Sequence, residues 1–164
     1  MRQALLAMMG GLPGARWQND DQLHLTLRFI GEADGHQTAD IAAALGSVHH
    51  PAFALTLDGT GCFDKRGRIE ALWAGLTPPD AVRSLRDSVN RALARVGVSP
   101  DPRAFVPHIT IARFSRSNAP IAPLPPGLLM PPPVEGHFDG FNLYESDLGS
   151  EGSTYSILER YRLG

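Results

Sequence analysis

Apolar residues recur at three- and four-residue spacing most clearly at Val82, Leu85, Val89, Leu93 and Val96, which share one face of a helix predicted over Pro78 to Val96. The ends of this stretch carry boundary chemistry. Thr77 is placed to cap, Pro78 suits the first turn and Asp80 completes a capping-box pattern. Arg91 and Arg95 favour the negative end of the dipole, and Gly97 can terminate the helix. Further helices are predicted over Gln37 to Leu45 and Arg2 to Met9. Between them, runs of alternating or apolar character read as strands over Leu23 to Ile30, Phe53 to Leu57, Ala71 to Leu76, Val106 to Phe114, His137 to Tyr144 and Tyr155 to Tyr161. A hairpin is expected to turn at Lys65 to Gly67. Strands mixed with helices in this order predict an α+β domain with mainly antiparallel pairing.

Alternation also sorts the side chains. In HLTLRF it puts His24, Thr26 and Arg28 on one face and Leu25, Leu27 and Phe29 on the other; in HITI, His108 and Thr110 oppose Ile109 and Ile111. Shifting the chain by 84 residues carries His24 onto His108 and Thr26 onto Thr110, the strand from Phe53 onto that from His137, and the strand from Ala71 onto that from Tyr155. Two copies of one supersecondary unit, each carrying a polar pair on a strand, predict a two-lobed domain with a cleft between the lobes. The expected organisation is one domain over residues 1–164.

Composition narrows the class. A chain of 164 residues with 43% apolar and 20% charged residues can hold a core without metal or disulfide. With the single cysteine, Cys62, no internal disulfide is possible, so a cytoplasmic protein is the expectation. No apolar run reaches transmembrane length, and MRQALLAMMG lacks the features of a signal peptide. The net charge of -2 argues against wrapping a long nucleic-acid backbone but not against reading one nucleic-acid end. Seven of the 14 prolines fall between Pro120 and Pro133, which predicts an extended surface loop.

Six histidines and seven threonines would give about 0.3 His-x-Thr triplets by chance in this chain, and three occur. The third, His36 to Thr38, lies in a polar connection where Thr38 is read as a helix N-cap. The plain alternative for the other two is a half-exposed sheet face on which threonine is at home. A recurring context in equivalent places weighs against that. A zinc site is disfavoured because no carboxylate or cysteine stands beside either histidine at ligand spacing. Two imidazoles facing one centre suit in-line displacement at phosphorus, which needs a base on the attacking side and an acid on the leaving side. Threonine hydroxyls can donate to the non-bridging oxygens.

Taken together, HLTLRFIGE, the GCF turn and LWAGL strand, PHITIAR, and LYES at Leu143 to Ser146 resemble the two-histidine phosphoesterases, most closely the RNA 2',3'-cyclic phosphodiesterases, also called 2'-5' RNA ligases. The resemblance spans nearly the whole chain. It implies a bilobal pseudo-two-fold α+β fold, no metal or other cofactor, and action on RNA ends bearing a 2',3'-cyclic phosphate; a monomer is the expected state. It implies His24 as general acid towards the 3'-oxygen and His108 as general base for water. Thr26, Thr110 and Arg113 would bind the phosphate. A small cyclic nucleotide such as an ADP-ribose cyclic phosphate is the alternative substrate, and a non-catalytic RNA- or nucleotide-binding module the alternative class. Relatives open with an apolar strand where Met1 here begins at the helix, which implies a start placed downstream or a lobe lacking that strand. Glu70 stands where a basic residue is expected.

Other side chains have mixed readings. Phe29 and Phe105 could stack a base, although alternation assigns Phe29 to the core. Arg28 shares the His24 face, and Lys65, Arg66 and Arg68 form a basic hairpin tip.

Overall fold

The structure is a computed structural model that describes residues 1–122, 129–149 and 152–164. Its elements are α1 (Arg2–Met8), β1 (Ala15–Trp17), α2 (Gly35–Leu45), β2 (Phe53–Lys65), β3 (Arg68–Thr77), α3 (Asp80–Arg95), β4 (His108–Phe114), β5 (Glu135–Phe138), β6 (Gly140–Gly149) and β7 (Gly152–Arg162). The class is α+β, as the alternating and helical periodicities predict. A five-stranded sheet has the order β1-β4-β3-β2-β5, and β6 and β7 form a separate antiparallel pair. The β1–β4, β3–β4, β2–β3 and β6–β7 pairs are all antiparallel.

The chain forms two compact units. The first comprises Met1–Leu25, Leu55–Pro78 and Val106–Gly136, with Leu5, Leu55, Leu57, Ile69, Leu72, Ala74, Leu76, Ile109, Ile111 and Ala112 among its buried apolar residues. The second comprises Thr26–Ala54, Pro79–Phe105 and His137–Gly164. Its core joins Ile41 and Leu45 of α2, Leu85, Val89, Ala92 and Leu93 of α3, and Phe141 and Leu143 of β6. No helix among the described residues is long and apolar enough to cross a membrane.

The 84-residue correspondence extends to the strand ends. It carries Lys65 and Arg68, which flank the β2–β3 turn, onto Gly149 and Gly152, which end β6 and begin β7. The units, however, do not coincide with the sequence copies. Unit one combines the β2–β3 hairpin of the first copy with β4 of the second.

That exchange explains the main correction. Leu23 to Ile30 is not a strand: only Leu25 makes a bridge, to Ile109, and at Thr26 the chain passes into the other unit, which ends the ladder after one pair. A short edge strand, β1, was not predicted because three residues are too few to show a period. The helix predicted from Pro78 begins at Asp80, with Pro79 at its N-cap and no side-chain cap bond. Thr77 does not cap because it remains in the sheet, paired with Thr56. At the other end Val98 N–H bonds to Leu93 O and Gly97 N–H to Ala94 O, with Gly97 at φ +80°, which is a Schellman ending. Helix α2 starts at Gly35 rather than Gln37, and its cap is Asp34, whose carboxylate accepts Gln37 N–H at 2.8 Å, rather than Thr38. Residues 123–128 of the proline-rich segment lie outside the described residues. Its flanks tie to the first hairpin, where Pro120 O accepts Ile69 N–H and Leu129 O accepts the Thr60 hydroxyl.

The hairpin turns at Arg66 and Gly67, both with positive φ (55° and 75°), and Asp64 Oδ2 accepts Gly67 N–H at 3.1 Å. These angles suit a two-residue turn matched to strand twist, in which asparagine is favoured at the first position. Arg66 carries a β-carbon into the left-handed region and pays for it in strain. Arg66→Asn is expected to stabilise the protein by up to about 1 kcal/mol, raising the thermal midpoint by roughly 2–4 °C. Differential scanning calorimetry checks this.

Candidate active site

His24 and His108 are both in unit one, and each is held by the same local device. His24 Nδ1 lies 2.8 Å from Gln22 O, and His108 Nδ1 lies 2.6 Å from Val106 O. A carbonyl can only accept, so in both rings Nδ1 carries the proton and Nε2 is the nitrogen able to take one. The two carbonyls are fixed differently. Gln22 ends a single 3-10 turn (Asp20–Gln22) closed by a reciprocal capping box: Asn19 Oδ1 accepts Gln22 N–H and Gln22 Oε1 accepts Asn19 N–H. Val106 precedes Pro107, which biases it to an extended conformation. The N-x-x-Q signature at Asn19 to Gln22 is visible in the sequence, but its link to His24 runs through a backbone carbonyl that the sequence pattern does not reveal.

The bridge between Leu25 and Ile109 sets the register between the two motif segments. Residues opposed across an antiparallel pair share a face, so Leu25 and Ile109 point to the same side, and the antiparallel register sets His24 beside Thr110 on the other. Thr110 is half-buried on β4, opposite Trp73. Thr26, the first residue of unit two, is exposed.

Arg113 reaches the same face by an irregularity. Strict alternation would put residue 113 opposite residues 108 and 110. Between Leu72↔Ala112 and Trp73↔Thr110, however, β4 advances two residues while β3 advances one, so Ile111 is an inserted residue. The pairing Ala71↔Arg113 therefore falls on the side of Trp73, Thr110 and His108. Consecutive burial of Ile111 and Ala112 is the trace of this bulge.

Two aromatic residues that the sequence reading passed over complete this face. Phe63, exposed at 40%, meets the His108 ring edge-to-face with centroids 5.0 Å apart, and Trp73 lies 6.0 Å from the same ring. Gly61 opposes Trp73, and a β-carbon there would stand 2.1 Å from the indole ring, so the indole needs this glycine. Arg16 on β1 pairs directly with Arg113. Among the described residues there is no group of three His, Cys, Asp or Glu side chains able to hold a metal ion.

The remaining candidates lie elsewhere. Arg28, which alternation places on the His24 face, has its side chain buried in unit two, where its guanidinium bonds to Ser99 O and pairs with Asp101 at 3.7 Å. Phe29, expected in the core, is 62% exposed, because the segment bends after Leu25 and alternation no longer applies. Phe105 packs under the Arg86 guanidinium. His36 lies in the first turn of α2, Arg68 bonds to Ala119 O, and in LYES the Tyr144 hydroxyl accepts from Asn142.

Partial burial lowers the pKa of both histidines below the ordinary value of 6.5. The carbonyl bonds oppose that by favouring the protonated ring, and the Arg113 charge lowers both again; His24 is lowered further by His108. The shared influence of Arg113 ties the two rings to one electrostatic centre.

The sequence profile of the 2'-5' RNA ligase superfamily matches residues 13–150. The chain belongs to this superfamily. The RNA 2',3'-cyclic phosphodiesterase of Thermotoga maritima is 32% identical over 147 residues, covering 88% of this chain and 78% of that protein. That of Escherichia coli is 34% identical over 144 residues, covering 87% and 77%. That of Aeropyrum pernix is 38% identical over 96 residues, 58% of this chain and 54% of that protein. Among solved structures, Escherichia coli LigT complexed with 3'-AMP aligns with a TM-score of 0.79 at 29% identity, covering 99% of this chain and 90% of that one. A Thermus thermophilus protein aligns at 0.81 and 28%, covering 98% and 90%. These findings agree with the superfamily resemblance read from the motifs.

The depressed histidine constants carry a stability consequence. Below pH 6.5 the unfolded chain takes up protons before the folded site does, so this contribution to stability is fully present above 6.5 and is lost as the pH drops from 6.5 through the lowered folded values. Replacing both histidines with glutamine is expected to flatten this part of the stability–pH curve, measured by urea unfolding between about pH 5 and 7.5, a range bracketing 6.5. An unchanged curve would show that these imidazoles are not desolvated.

Proposed function

We propose that the protein is a metal-independent RNA 2',3'-cyclic phosphodiesterase that opens the ring to a 2'-phosphate. The observation that carries this reading is the matched pair of carbonyl-anchored imidazoles, His24 and His108, sharing the field of Arg113. Names of relatives across bacteria and archaea point to the same substrate. His108 Nε2 takes a proton from water as its oxygen attacks phosphorus; the bond to the 3'-oxygen breaks, and His24, protonated at Nε2, donates to that oxygen. Thr26, Thr110 and Arg113 hold the non-bridging oxygens, where negative charge is greatest. In this reading the two units are pseudo-symmetric lobes of one domain over residues 1–164, and the protein works as a cytoplasmic monomer. Two anchored proton carriers favour catalysis over a pure binding module, since binding alone needs no matched acid and base.

Replacing His24 or His108 with alanine is expected to reduce kcat/KM on an RNA ending in a 2',3'-cyclic phosphate by about a hundredfold or more, while His36→Ala leaves it near wild type. Phosphorus NMR of the product should report a 2'-phosphomonoester; a 3'-phosphate would reverse the assignment of the leaving group.

One imidazole must be charged and the other neutral, so the kcat/KM profile is bell-shaped, with limbs belonging to the pair. Both constants are lowered in the free protein, which sets the maximum on the acid side of 6.5. Arg113→Gln removes a positive charge that disfavours protonation of either ring, so the maximum should move to higher pH even as turnover falls. Rates in EDTA should match those without it; loss restored by one divalent ion would replace this mechanism with a metal-assisted one.

A further inference from the structure

One row of residues crosses the unit-one sheet on the face of His108. Arg16 on β1 pairs with Arg113 on β4, Arg113 with Ala71 on β3, and Ala71 with Phe63 on β2. Neighbouring strands are about 4.8 Å apart, so roughly 10 Å separates the Arg113 and Phe63 positions, with only a methyl group between them. The two ends differ in chemistry. Arg16 and Arg113 are both exposed, and among the described residues neither forms an ion pair, whereas Arg2, Arg28 and Arg103 each have an aspartate. Like charges directly opposed across strands cost stability, a cost that a bound polyanion removes. At the other end Phe63 is steadied by ring contacts to His108 and Trp73 at 5.0 and 5.7 Å and still keeps 40% of its surface exposed.

We propose that this row reads a nucleotide: Phe63 stacks the base of the nucleotide that bears the cyclic phosphate, and Arg16 contacts the phosphodiester on its 5' side. Arg113 stands between them, at the reacting phosphate. The proposal rests on the phosphodiesterase reading above and deepens it, because it makes an RNA end a better substrate than an isolated cyclic mononucleotide. Every base offers a π face, so stacking on Phe63 adds affinity with little sequence preference.

Three substrates separate these contacts: methyl riboside 2',3'-cyclic phosphate, which has no base; adenosine 2',3'-cyclic phosphate; and a dinucleotide ending in that same group. Phe63→Ala and the milder Phe63→Leu should raise KM for the two base-bearing substrates by about 10- to 100-fold, the scale of one lost stacking contact. That penalty should exceed the one on the baseless substrate at least tenfold. Arg16→Gln should penalise the dinucleotide at least fivefold more than the mononucleotide and flatten its salt dependence by about one phosphate contact. Equal penalties from Phe63 variants on all three substrates would mean that the ring only positions His108, and would overturn the stacking assignment. Equal penalties from Arg16→Gln on mononucleotide and dinucleotide would overturn the second contact. Calorimetric binding of a dinucleotide ending in a 2'-phosphate keeps the two readings apart. If the wild type hydrolyses none of the substrates but binds this ligand, with weaker binding by Phe63→Leu and Arg16→Gln, the subsite stands and the catalytic reading falls. If binding is insensitive to both substitutions, the subsite falls.

Discussion

The bond from each histidine Nδ1–H to the carbonyl two residues earlier is the constraint on which the arrangement of the candidate site, and the proposed chemistry with it, depends. An unanchored imidazole shares its proton between two nitrogens and rotates about two torsions. Here a carbonyl acceptor selects one tautomer and one orientation together, at 2.8 Å for His24 and 2.6 Å for His108. The same bond opposes desolvation, because it is stronger when the ring is charged. Each ring thus sits where burial and Arg113 disfavour the proton while the carbonyl favours it. Such a balance suits the proton transfers proposed for both rings, since an unopposed influence would hold each in a single state.

The second constraint is a departure from regularity. An unbroken β4 would present His108 and Thr110 on one face and Arg113 on the other. The inserted Ile111 reverses the parity of everything beyond it. A further irregularity in β2 between Leu57 and Thr60 includes Gly59, at φ +67°. Bulges weaken a ladder locally, so they persist where side-chain direction matters more than one hydrogen bond. In unit one they gather an imidazole, a guanidinium and an aromatic ring onto a surface that would otherwise present them on both sides of the sheet.

This pattern explains which parts were legible in the sequence. Helices α2 and α3 and most strands are readable because each buries one stripe or one face, and burial writes its period into residue choice: Leu85, Val89 and Leu93 of the predicted stripe lie in one core cluster, and Val82 is buried as well. The His-x-Thr pairs stand out in the sequence by repetition, although at the first of them the alternation runs where only a single bridge forms. Arg113 was not accessible to alternation, which assigns it the wrong face, and entered only through the family resemblance. Phe63 and Arg16 were missed because their relation to His108 and Arg113 runs across strands, and register between distant segments is not encoded in local periodicity. Phe29 was misread for the converse reason: the period around it is regular, but the chain leaves the ladder at Leu25 and the pattern has no sheet to act on.

The exchange of elements between copies and units gives the repeat its physical sense. If each copy had folded alone, His24 and His108 would stand in equivalent places of separate units, each beside its own hairpin. Instead β4 of the second copy pairs with β3 of the first, and Leu25 of the first bridges Ile109 of the second. Both imidazoles consequently belong to unit one, and their separation is governed by one sheet register. In the proposed reaction two imidazoles act on opposite sides of one phosphorus atom, and such a pair needs a fixed separation more than it needs symmetry. A ladder contact supplies it directly, which accounts for why a single bridge is retained at Leu25 although the strand predicted around it does not form.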